Sequence, residues 1–234
     1  MGQIYLVRHG QASFGSDDYD QLSELGLEQA RLLGEWLANS PQRFHRIVTG
    51  GMRRHRQTAD ACIARLPKAH LTETDWHTDP GFNEYDHHEV LVRYRPEFAD
   101  MQELGRFLAS NAEPKRAFQK IFGEAVRRWM GGQANDYTES WPAFQARCVG
   151  ALQRLIDTAD KSQSIIVFTS GGTIAAICQH VLGLADRQAA ELSWSLVNCS
   201  VTKLLYNREG IGLGYLNNYA HLEWLGQPHT ITYR

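Results

Sequence analysis

Short apolar runs alternate with an amphipathic stretch over the first part of the chain. Residues 3–7 form an apolar run that predicts a first strand, and residues 46–49, Arg-Ile-Val-Thr, predict a second short strand. Between them, three apolar residues recur at helical spacing: Ala30, Leu33 and Leu37. This spacing predicts a helix over about residues 24–38, for which Ser23 is a suitable N-cap. A further helix is expected from about residue 52. The order strand, helix, strand, helix is typical of parallel strands with helices packed on the faces of the sheet.

The middle of the chain has the pattern of helices, and the last third returns to strands. Apolar residues recur at helical spacing in three stripes: Phe98, Met101, Leu104 and Phe107; Phe118, Ile121, Phe122, Ala125 and Trp129; and Phe144, Cys148, Leu152 and Ile156. Residues 164–169 are mostly β-branched or aromatic and are apolar on both faces, as expected of a central parallel strand. Residues 198–206 and 212–216 predict a terminal hairpin.

These elements predict a fold of the α/β class. We expect a three-layer α/β/α sandwich around a mostly parallel sheet with an antiparallel edge strand. The helical stripes in the middle of the chain predict a helical insertion at about residues 85–140. No internal repeat or clear linker divides the chain, so residues 1–234 are expected to form a single domain.

Composition and charge narrow the possible partners. Hydrophobic residues make up 43% of the 234 residues and charged residues 21%, values that are ordinary for a globular protein. The 24 basic and 26 acidic residues give a net charge of −2, so no global positive field would hold nucleic acid or an anionic membrane. A small anionic ligand needs only a local cluster of cations. We therefore expect a small-molecule partner and neither a nucleic-acid nor a membrane partner.

Cysteine use and hydropathy predict a cellular location. The four cysteines are scattered, with no Cys-x-x-Cys pair: Cys62, Cys148, Cys178 and Cys199. This usage is more typical of a reducing compartment than of a secreted domain held by disulfides, and it does not suit a zinc site. No apolar stretch reaches the roughly 18 residues of a membrane span. These features predict a soluble, cytoplasmic protein.

Residues that can carry chemistry follow the predicted strands directly. Arg8 and His9 follow the first strand, and Ser170 follows the strand at residues 164–169. Arg54 lies one turn into the helix after the second strand. In an open α/β sheet, ligands bind beyond the carboxyl ends of the strands, so we expect these side chains to meet there. Guanidinium groups pair with phosphate oxygens through two bonds at once, and an imidazole can attack phosphorus. The arrangement predicts a site for phosphoryl transfer.

One segment resembles a known family signature. Residues 6–11, with the sequence Leu-Val-Arg-His-Gly-Gln, resemble the Arg-His-Gly signature of the histidine phosphatase superfamily, the group that includes cofactor-dependent phosphoglycerate mutases. Three further segments resemble the family in the same order along the chain: residues 22–30, residues 54–59 and residues 82–84. The four matches lie within residues 6–84, ahead of the expected insertion.

The resemblance implies a two-step reaction. His9 would attack phosphorus and form a phosphohistidine, which water or a second hydroxyl group then resolves. Glu84 would protonate the leaving oxygen and later take a proton from the incoming nucleophile. The residues expected to bind the phosphate are Arg8, Arg54, Gln11, Ser170 and Gly171. Because the two arginines would neutralise the charge of the transition state, neither a metal nor a cofactor is expected.

Ser170 is the main departure from the family pattern, which normally has a second histidine at this place. A serine hydroxyl can still donate one hydrogen bond to phosphate, but it brings no positive charge. Hydrogen bonds of charged groups are worth ~1–2 kcal/mol more than neutral ones, which predicts a reaction about five- to thirtyfold slower. Four basic residues are candidates to compensate for the missing imidazole: His55, His87, His88 and Arg53.

Three other functions compete with the phosphatase hypothesis. A mutase-type phosphotransferase is less favoured, because residues 12–15 of the first loop, Ala-Ser-Phe-Gly, do not place Ser and Asn at the spacings that are usual in the mutases. A domain that binds a phosphorylated ligand without turning it over would account for the loss of the second histidine. Ser170, Asp186 and His221 have the chain order of an α/β-hydrolase triad, but Phe168 breaks the G-x-S-x-G pattern. The sequence therefore predicts a metal-independent phosphomonoester phosphatase.

Overall fold

The computed structural model describes residues 1–13, 20–72, 76–132, 136–160 and 162–233 of the chain. The strands are β1 (Gly2–Arg8), β2 (Arg46–Thr49), β3 (Trp76–Thr78), β4 (Ser164–Thr169), β5 (Val201–Tyr206) and β6 (Ile211–Asn218). The helices are α1 (Glu24–Ala38), α2 (Arg53–Ile63), α3 (His87–Tyr94), α4 (Met101–Ala109), α5 (Pro114–Met130), α6 (Trp141–Asp157), α7 (Gly171–Leu182), α8 (Asp186–Ser195) and α9 (Ala220–Glu223).

The strands form one sheet in the order β3-β2-β4-β1-β5-β6. The first four strands of this order are parallel, whereas β5 runs antiparallel to β1 and β6 antiparallel to β5. The expected mostly parallel sheet with an antiparallel edge is therefore confirmed, and its antiparallel part is the hairpin β5–β6. Arg8 of β1 pairs with Thr169 of β4, and Thr49 of β2 pairs with Phe168. Because the three strands end at nearly the same level, the residues that follow them emerge at one edge of the sheet.

Both faces of the central strands are buried, which gives the fold its three layers. In β1, Ile4 and Leu6 point into a core shared with α5, α6 and α7. Tyr5 and Val7 point to the opposite face, where a second core is shared with α1 and α2. This alternation explains why residues 4–7 of β1 and residues 165–168 of β4 are mostly apolar on both faces, since a parallel sheet covered by helices has no solvated side.

Helix α1 begins and ends as its sequence predicts. The Ser23 hydroxyl accepts a hydrogen bond from the backbone N–H of Gly26 at 3.0 Å and so caps the first turn. The buried stripe of the helix includes the three residues that recur at helical spacing: Ala30, Leu33 and Leu37. The helix packs against α2, and both cover the same face of the sheet.

The stretch at residues 85–140 contains α3, α4 and α5. Phe122 and Trp129 of α5 belong to the same core as Ile4 and Leu6 of β1, so these helices share the core of the sheet and do not build a separate one. No helix within the described ranges is both long and apolar enough to cross a membrane.

Candidate active site

His9 follows β1 directly and is buried, with 8% of its surface exposed. Its backbone N–H donates to the carbonyl oxygen of Thr169 at 2.8 Å, which fixes it to the end of β4. Its Nδ1 lies 2.7 Å from the carbonyl oxygen of Gly10. A carbonyl oxygen only accepts, so Nδ1 carries the ring proton and Nε2 keeps its lone pair. Burial, followed by the charges of Arg54 and Arg8, holds the pKa of His9 well below its usual range. The imidazole is therefore neutral and can act as a nucleophile.

Two buried guanidinium groups accompany this imidazole. Arg8 is 7% exposed, and its Nη1 donates to the carbonyl oxygen of Leu196. Arg54, on the first turn of α2, is 3% exposed and donates from Nη1 to Asp20 Oδ1 at 2.7 Å. The Arg54 Nε is buried and has no hydrogen-bond partner in the parts of the chain that the structure describes. A buried donor of this kind is suited to an anionic ligand, because guanidinium groups bind phosphate oxygens in pairs.

Asp20 is a part of the site that the sequence does not reveal. Its second oxygen, Oδ2, accepts from the backbone N–H of Arg53 at 2.8 Å, where α2 begins. One carboxylate thus orients the Arg54 side chain and stabilises the start of its helix. A single aspartate in a polar loop has no sequence pattern that would connect it to a residue 34 positions away.

Thr58 links the loop that carries His9 to the helix that carries Arg54. Its hydroxyl accepts from the backbone N–H of Gly10 at 3.0 Å and donates to the carbonyl oxygen of Arg54 at 2.7 Å. The distance between nucleophile and guanidinium is therefore set by a side chain buried completely inside α2. This contact explains why a threonine follows Arg54 one turn later in the segment at residues 54–59.

Glu84 lies in the loop before α3 with its side chain 5% exposed. Its Oε2 accepts from the backbone N–H of Gly172 at 2.9 Å, and its Oε1 from that of Tyr85 at 3.2 Å. Burial raises the pKa of this carboxyl group, although these N–H groups and the charges of Arg54 and Arg8 oppose the rise. A carboxylic acid with a raised pKa is suited to donate a proton to a leaving oxygen.

Ser170 lies between β4 and α7 and is completely buried. Its hydroxyl makes no capping hydrogen bond to α7. Instead, the Ser170 Oγ lies 2.6 Å from Nε2 of His55, a buried residue of α2. The adjacent Gly171 approaches Arg8 closely, since a Cβ at this position would lie 3.4 Å from Arg8 Nε. The structure therefore brings both residues to the edge where His9 and the arginines meet.

The four candidates for a compensating base lie in different places. His55 contacts Ser170, as described above. His87 lies beside the acid, with its Nε2 4.0 Å from Glu84 Oε2. His88 is exposed on α3, and the backbone N–H of Arg53 donates to Asp20. Of these four residues, His55 is the one whose ring hydrogen-bonds to Ser170.

Gln11 is tied to α1. Its backbone N–H donates to Gln29 Oε1 at 2.9 Å, and its own Oε1 accepts from the Ser23 hydroxyl at 2.9 Å. These bonds attach the loop after β1 to the start of the helix. Phosphate binding by Gln11 stays a prediction.

A model of the family described as "Histidine phosphatase superfamily (branch 1)" matches residues 4–219. The chain belongs to this superfamily. The matched range includes residues 4–8 of β1, the whole of α2 and β4, and every site residue described above.

Curated proteins that are similar in sequence to this chain carry the name phosphatase. "Serine/threonine-protein phosphatase Pgam5, mitochondrial" of Caenorhabditis elegans is 32% identical over 125 residues, which are 52% of this chain and 40% of that protein. The protein of the same name in Caenorhabditis briggsae is 42% identical over 64 residues, 27% of this chain and 22% of that protein. The chain spans less than half the length of these curated relatives.

Solved structures of distant sequence share the fold. A mutant phosphoserine phosphatase from Entamoeba histolytica in complex with phosphoserine has a TM-score of 0.66 at 15% identity, covering 95% of this chain and 100% of that one. A phosphoglycerate mutase from Bacillus anthracis has a TM-score of 0.65 at 17% identity, covering 97% of each chain. At 15% and 17% identity, the similarity to these two structures establishes the fold of the present chain.

The structure does not bring Ser170, Asp186 and His221 together as an α/β-hydrolase triad. Asp186 accepts hydrogen bonds from the side chains of Trp141 and Gln179. Neither ring nitrogen of His221 has a hydrogen-bond partner among the residues with described positions. The triad hypothesis is wrong, because the imidazole beside Ser170 comes from α2 and not from the C-terminal segment.

Ala12 and Ser13, at the start of the first loop, are held by backbone contacts with residues 21 and 22. The backbone N–H of Ser13 donates to the carbonyl oxygen of Gln21 at 2.7 Å, and Ala12 bridges Leu22. Residues 14 and 15, on which the comparison with mutases also depends, lie outside the described residues.

Proposed function

We propose that this protein is a metal-independent phosphomonoester phosphatase that works through a phosphohistidine on His9. The observation that carries the proposal is the buried, neutral His9, whose Nδ1 is held by Gly10 while Arg8 and Arg54 lie close enough to lower its pKa. This combination suits an attack on phosphorus, since Nε2 keeps a lone pair and the guanidinium groups can take up the charge of the phosphoryl oxygens.

In the first step, the lone pair on His9 Nε2 forms a bond to phosphorus while the bond from phosphorus to the substrate oxygen breaks. The leaving oxygen takes the proton of the Glu84 carboxyl group and departs as a neutral alcohol. Arg8 and Arg54 stabilise the charge on the three equatorial oxygens. The products of this step are the alcohol, a phosphorylated His9 and an ionised Glu84.

In the second step, water takes the place of the alcohol. Glu84 accepts one proton of the water molecule as its oxygen bonds to phosphorus, and the bond between phosphorus and Nε2 breaks. The electron pair of that bond returns to Nε2 of His9, and inorganic phosphate leaves. Both residues end in the protonation states with which they began.

Two observations support turnover over ligand binding alone. Glu84 is held in a buried position with a raised pKa, which a proton donor needs and a phosphate-binding site does not. The curated relatives are also named as phosphatases, although the chain covers less than half of their length. We therefore propose hydrolysis as the activity of the site.

We propose a small phosphorylated molecule as the substrate. The Entamoeba phosphoserine phosphatase, which shares the fold, is described in complexes with phosphoserine and with 3-phosphoglyceric acid. Because the curated relatives are named serine/threonine-protein phosphatases, a panel of substrates should include a phosphoserine peptide beside free phosphoserine.

The test is hydrolysis of p-nitrophenyl phosphate in the presence of EDTA by three forms of the protein. We expect the unmodified protein and the variant His180→Ala, whose side chain is exposed on α7, to be active. His9→Ala should lose activity by about 10³-fold or more, because it lacks the nucleophile. Activity that survives in His9→Ala, or that EDTA removes, contradicts the proposal. Binding of orthovanadate without hydrolysis of any phosphomonoester would instead identify a ligand-binding domain.

A further inference from the structure

His55 contributes a buried imidazole to the candidate active site. The proposed two-step reaction assigns no role to this residue. It is completely buried in α2, next to Arg54. Its ring centroid lies 5.9 Å from that of His9, and its Nε2 lies 2.6 Å from Ser170 Oγ. Because a buried polar side chain costs free energy unless it is hydrogen-bonded, a residue held this close to the nucleophile calls for a functional explanation.

The surroundings of the His55 ring identify which nitrogen carries its proton. The Nδ1 is buried and has no hydrogen-bond partner within the described parts of the chain. It faces Gly50, where a Cβ would lie only 2.3 Å away, so one Cα–H of that glycine points at the nitrogen. A lone pair tolerates such a weak C–H donor, whereas an N–H group would point at another hydrogen and lack an acceptor. The ring proton therefore resides on Nε2, and burial together with the charge of Arg54 keeps the ring neutral by lowering its pKa.

This assignment sets the direction of the hydrogen bond to Ser170. Nε2–H of His55 donates, and the Ser170 Oγ accepts. The hydroxyl proton of Ser170 is then not used in that bond, and the Oγ accepts no capping bond from the backbone N–H groups of α7. A hydroxyl that accepts one hydrogen bond becomes a better donor for a second one. The proton of Ser170 is thus available to an anion bound at the edge of the sheet.

We propose that His55 is a positioning residue that orients the Ser170 hydroxyl toward the phosphoryl group bound at His9. The imidazole that the family pattern places after β4 is in this chain supplied from α2, with Ser170 between it and the phosphoryl oxygens. This inference rests on the proposed function, because it assigns the phosphoryl group to the space beside His9.

Kinetics of single and double variants test the proposal. His55→Ala and Ser170→Ala should each lower kcat/KM for p-nitrophenyl phosphate about tenfold, the worth of one hydrogen bond to a charged group. The double variant should lose no more than Ser170→Ala does, because His55 acts through Ser170. His55→Gln keeps an N–H donor near the position of Nε2 and should recover most of the activity.

A purely structural role for His55 gives a different result. The losses of the two single variants would then multiply in the double variant, and His55→Gln would be no better than His55→Ala. Either multiplied losses or the failure of His55→Gln to recover activity overturns the proposal. His180→Ala serves as the control for a histidine that is lost from an exposed position.

A second measurement uses the unmodified protein and needs neither turnover nor a folded variant lacking His55. Long-range ¹H–¹⁵N NMR of histidine-labelled protein, with and without inorganic phosphate, reports which ring nitrogen carries the proton. We expect His55 to be protonated on Nε2 in both states and its Nε2–H resonance to move when phosphate binds. Protonation on Nδ1 would overturn the inference, because Ser170 would then donate to His55. A protein with Nε2–H but no hydrolysis would contradict the proposed function and leave the role of His55 in phosphate binding intact.

Discussion

Burial shifts the pKa values of His9 and Glu84 in opposite directions: it lowers that of the imidazole and raises that of the carboxyl group. Because burial disfavours the charged form of any group, it favours the free base of the histidine and the protonated form of the glutamate. Such opposite shifts are what a reaction with one nucleophile and one proton donor requires.

The variant Glu84→Gln separates the role of the acid from that of the nucleophile. We expect hydrolysis of an alkyl phosphate to fall by about 10²- to 10⁴-fold, because the alcohol then leaves without a proton donor. The value of kcat/KM for p-nitrophenyl phosphate should fall far less, since nitrophenolate leaves readily without protonation. The measurement is kcat/KM for both substrates, because it reports formation of the phosphohistidine and not its hydrolysis, in which Glu84 acts as the base for either substrate. Glu113→Gln is the control at an exposed glutamate. Equal losses of kcat/KM on the two substrates would show that Glu84 is not the proton donor.

At the scale of elements, the start of α7 and the loop before α3 form one unit. The backbone N–H of Gly172 holds the Glu84 carboxylate, and the Thr173 hydroxyl donates to the carbonyl oxygen of Asn83 at 3.0 Å. A Cβ at position 172 would lie 2.2 Å from Glu84 Oε1, so the glycine is what allows the acid to come this close to the helix. The sequence shows Gly171-Gly172 as the start of a helix but does not show which carboxylate it receives.

The variant Gly172→Ala tests whether this contact places the acid. The new methyl group must displace the Glu84 side chain, so we expect the loss of activity to resemble that of Glu84→Gln, large on an alkyl phosphate and small on p-nitrophenyl phosphate. Gly123→Ala in α5, where a Cβ meets no atom closer than 3.9 Å, is the matched control. Unchanged hydrolysis of the alkyl phosphate by Gly172→Ala would contradict the role given to this contact.

The sequence predicts the long elements well and the short ones poorly. Residues 24–38 and residues 164–169 were expected as a helix and a strand, and the structure has α1 and β4 over the same residues. Strand β3 was not expected, because its three residues include the exposed His77 and Thr78 and it lies at the edge of the sheet, beside β2. Helix α8 has a single buried residue, Ala189, and so lacks an apolar stripe in the sequence. Periodicity detects an element only where the element buries a face.

At the scale of the whole molecule, the sheet brings together residues that are far apart in the chain. Arg8, His9, Arg54 and Ser170 could be expected at one edge, because parallel strands that follow each other end on the same side. The pairing of His55 with Ser170 spans 115 residues, and it depends on how α2 packs against the end of β4. That packing is a tertiary contact, which no local pattern encodes. The sequence therefore offered four candidate bases and could not select among them.

Buried neutral histidines make the stability of the whole molecule sensitive to acid. Burial lowers the pKa of His221 to about 4, and its ring packs against Trp36 with the centroids 5.8 Å apart. Between pH 6.5 and about 4 the unfolded chain binds a proton at this residue that the folded chain does not. The free energy of unfolding therefore falls as the pH falls through this range, by up to about 3 kcal/mol for this residue.

The variant His221→Phe should remove this part of the acid sensitivity, because phenylalanine cannot bind a proton. We expect the difference in unfolding free energy between pH 7.5 and pH 4.5 to be smaller in His221→Phe than in the unmodified protein, with His180→Phe unchanged. Urea unfolding at the two pH values measures it. An equal pH dependence in all three forms would mean that His221 is accessible to protons in the folded state.

In the proposed reaction, the phosphoryl group passes through a covalent bond to His9. Rapid acid-free quenching during turnover of p-nitrophenyl phosphate, followed by digestion at alkaline pH and mass spectrometry, measures where the phosphoryl group resides. We predict an acid-labile, alkali-stable phosphate on the peptide that contains His9, and its loss in His9→Ala. An acid-stable phosphate on the peptide that contains Ser170 would contradict this prediction. The variant Glu84→Gln gives a second test, because it slows hydrolysis of the phosphohistidine. If this variant hydrolyses the substrate and yet no phosphorylated peptide is found, the prediction is also contradicted.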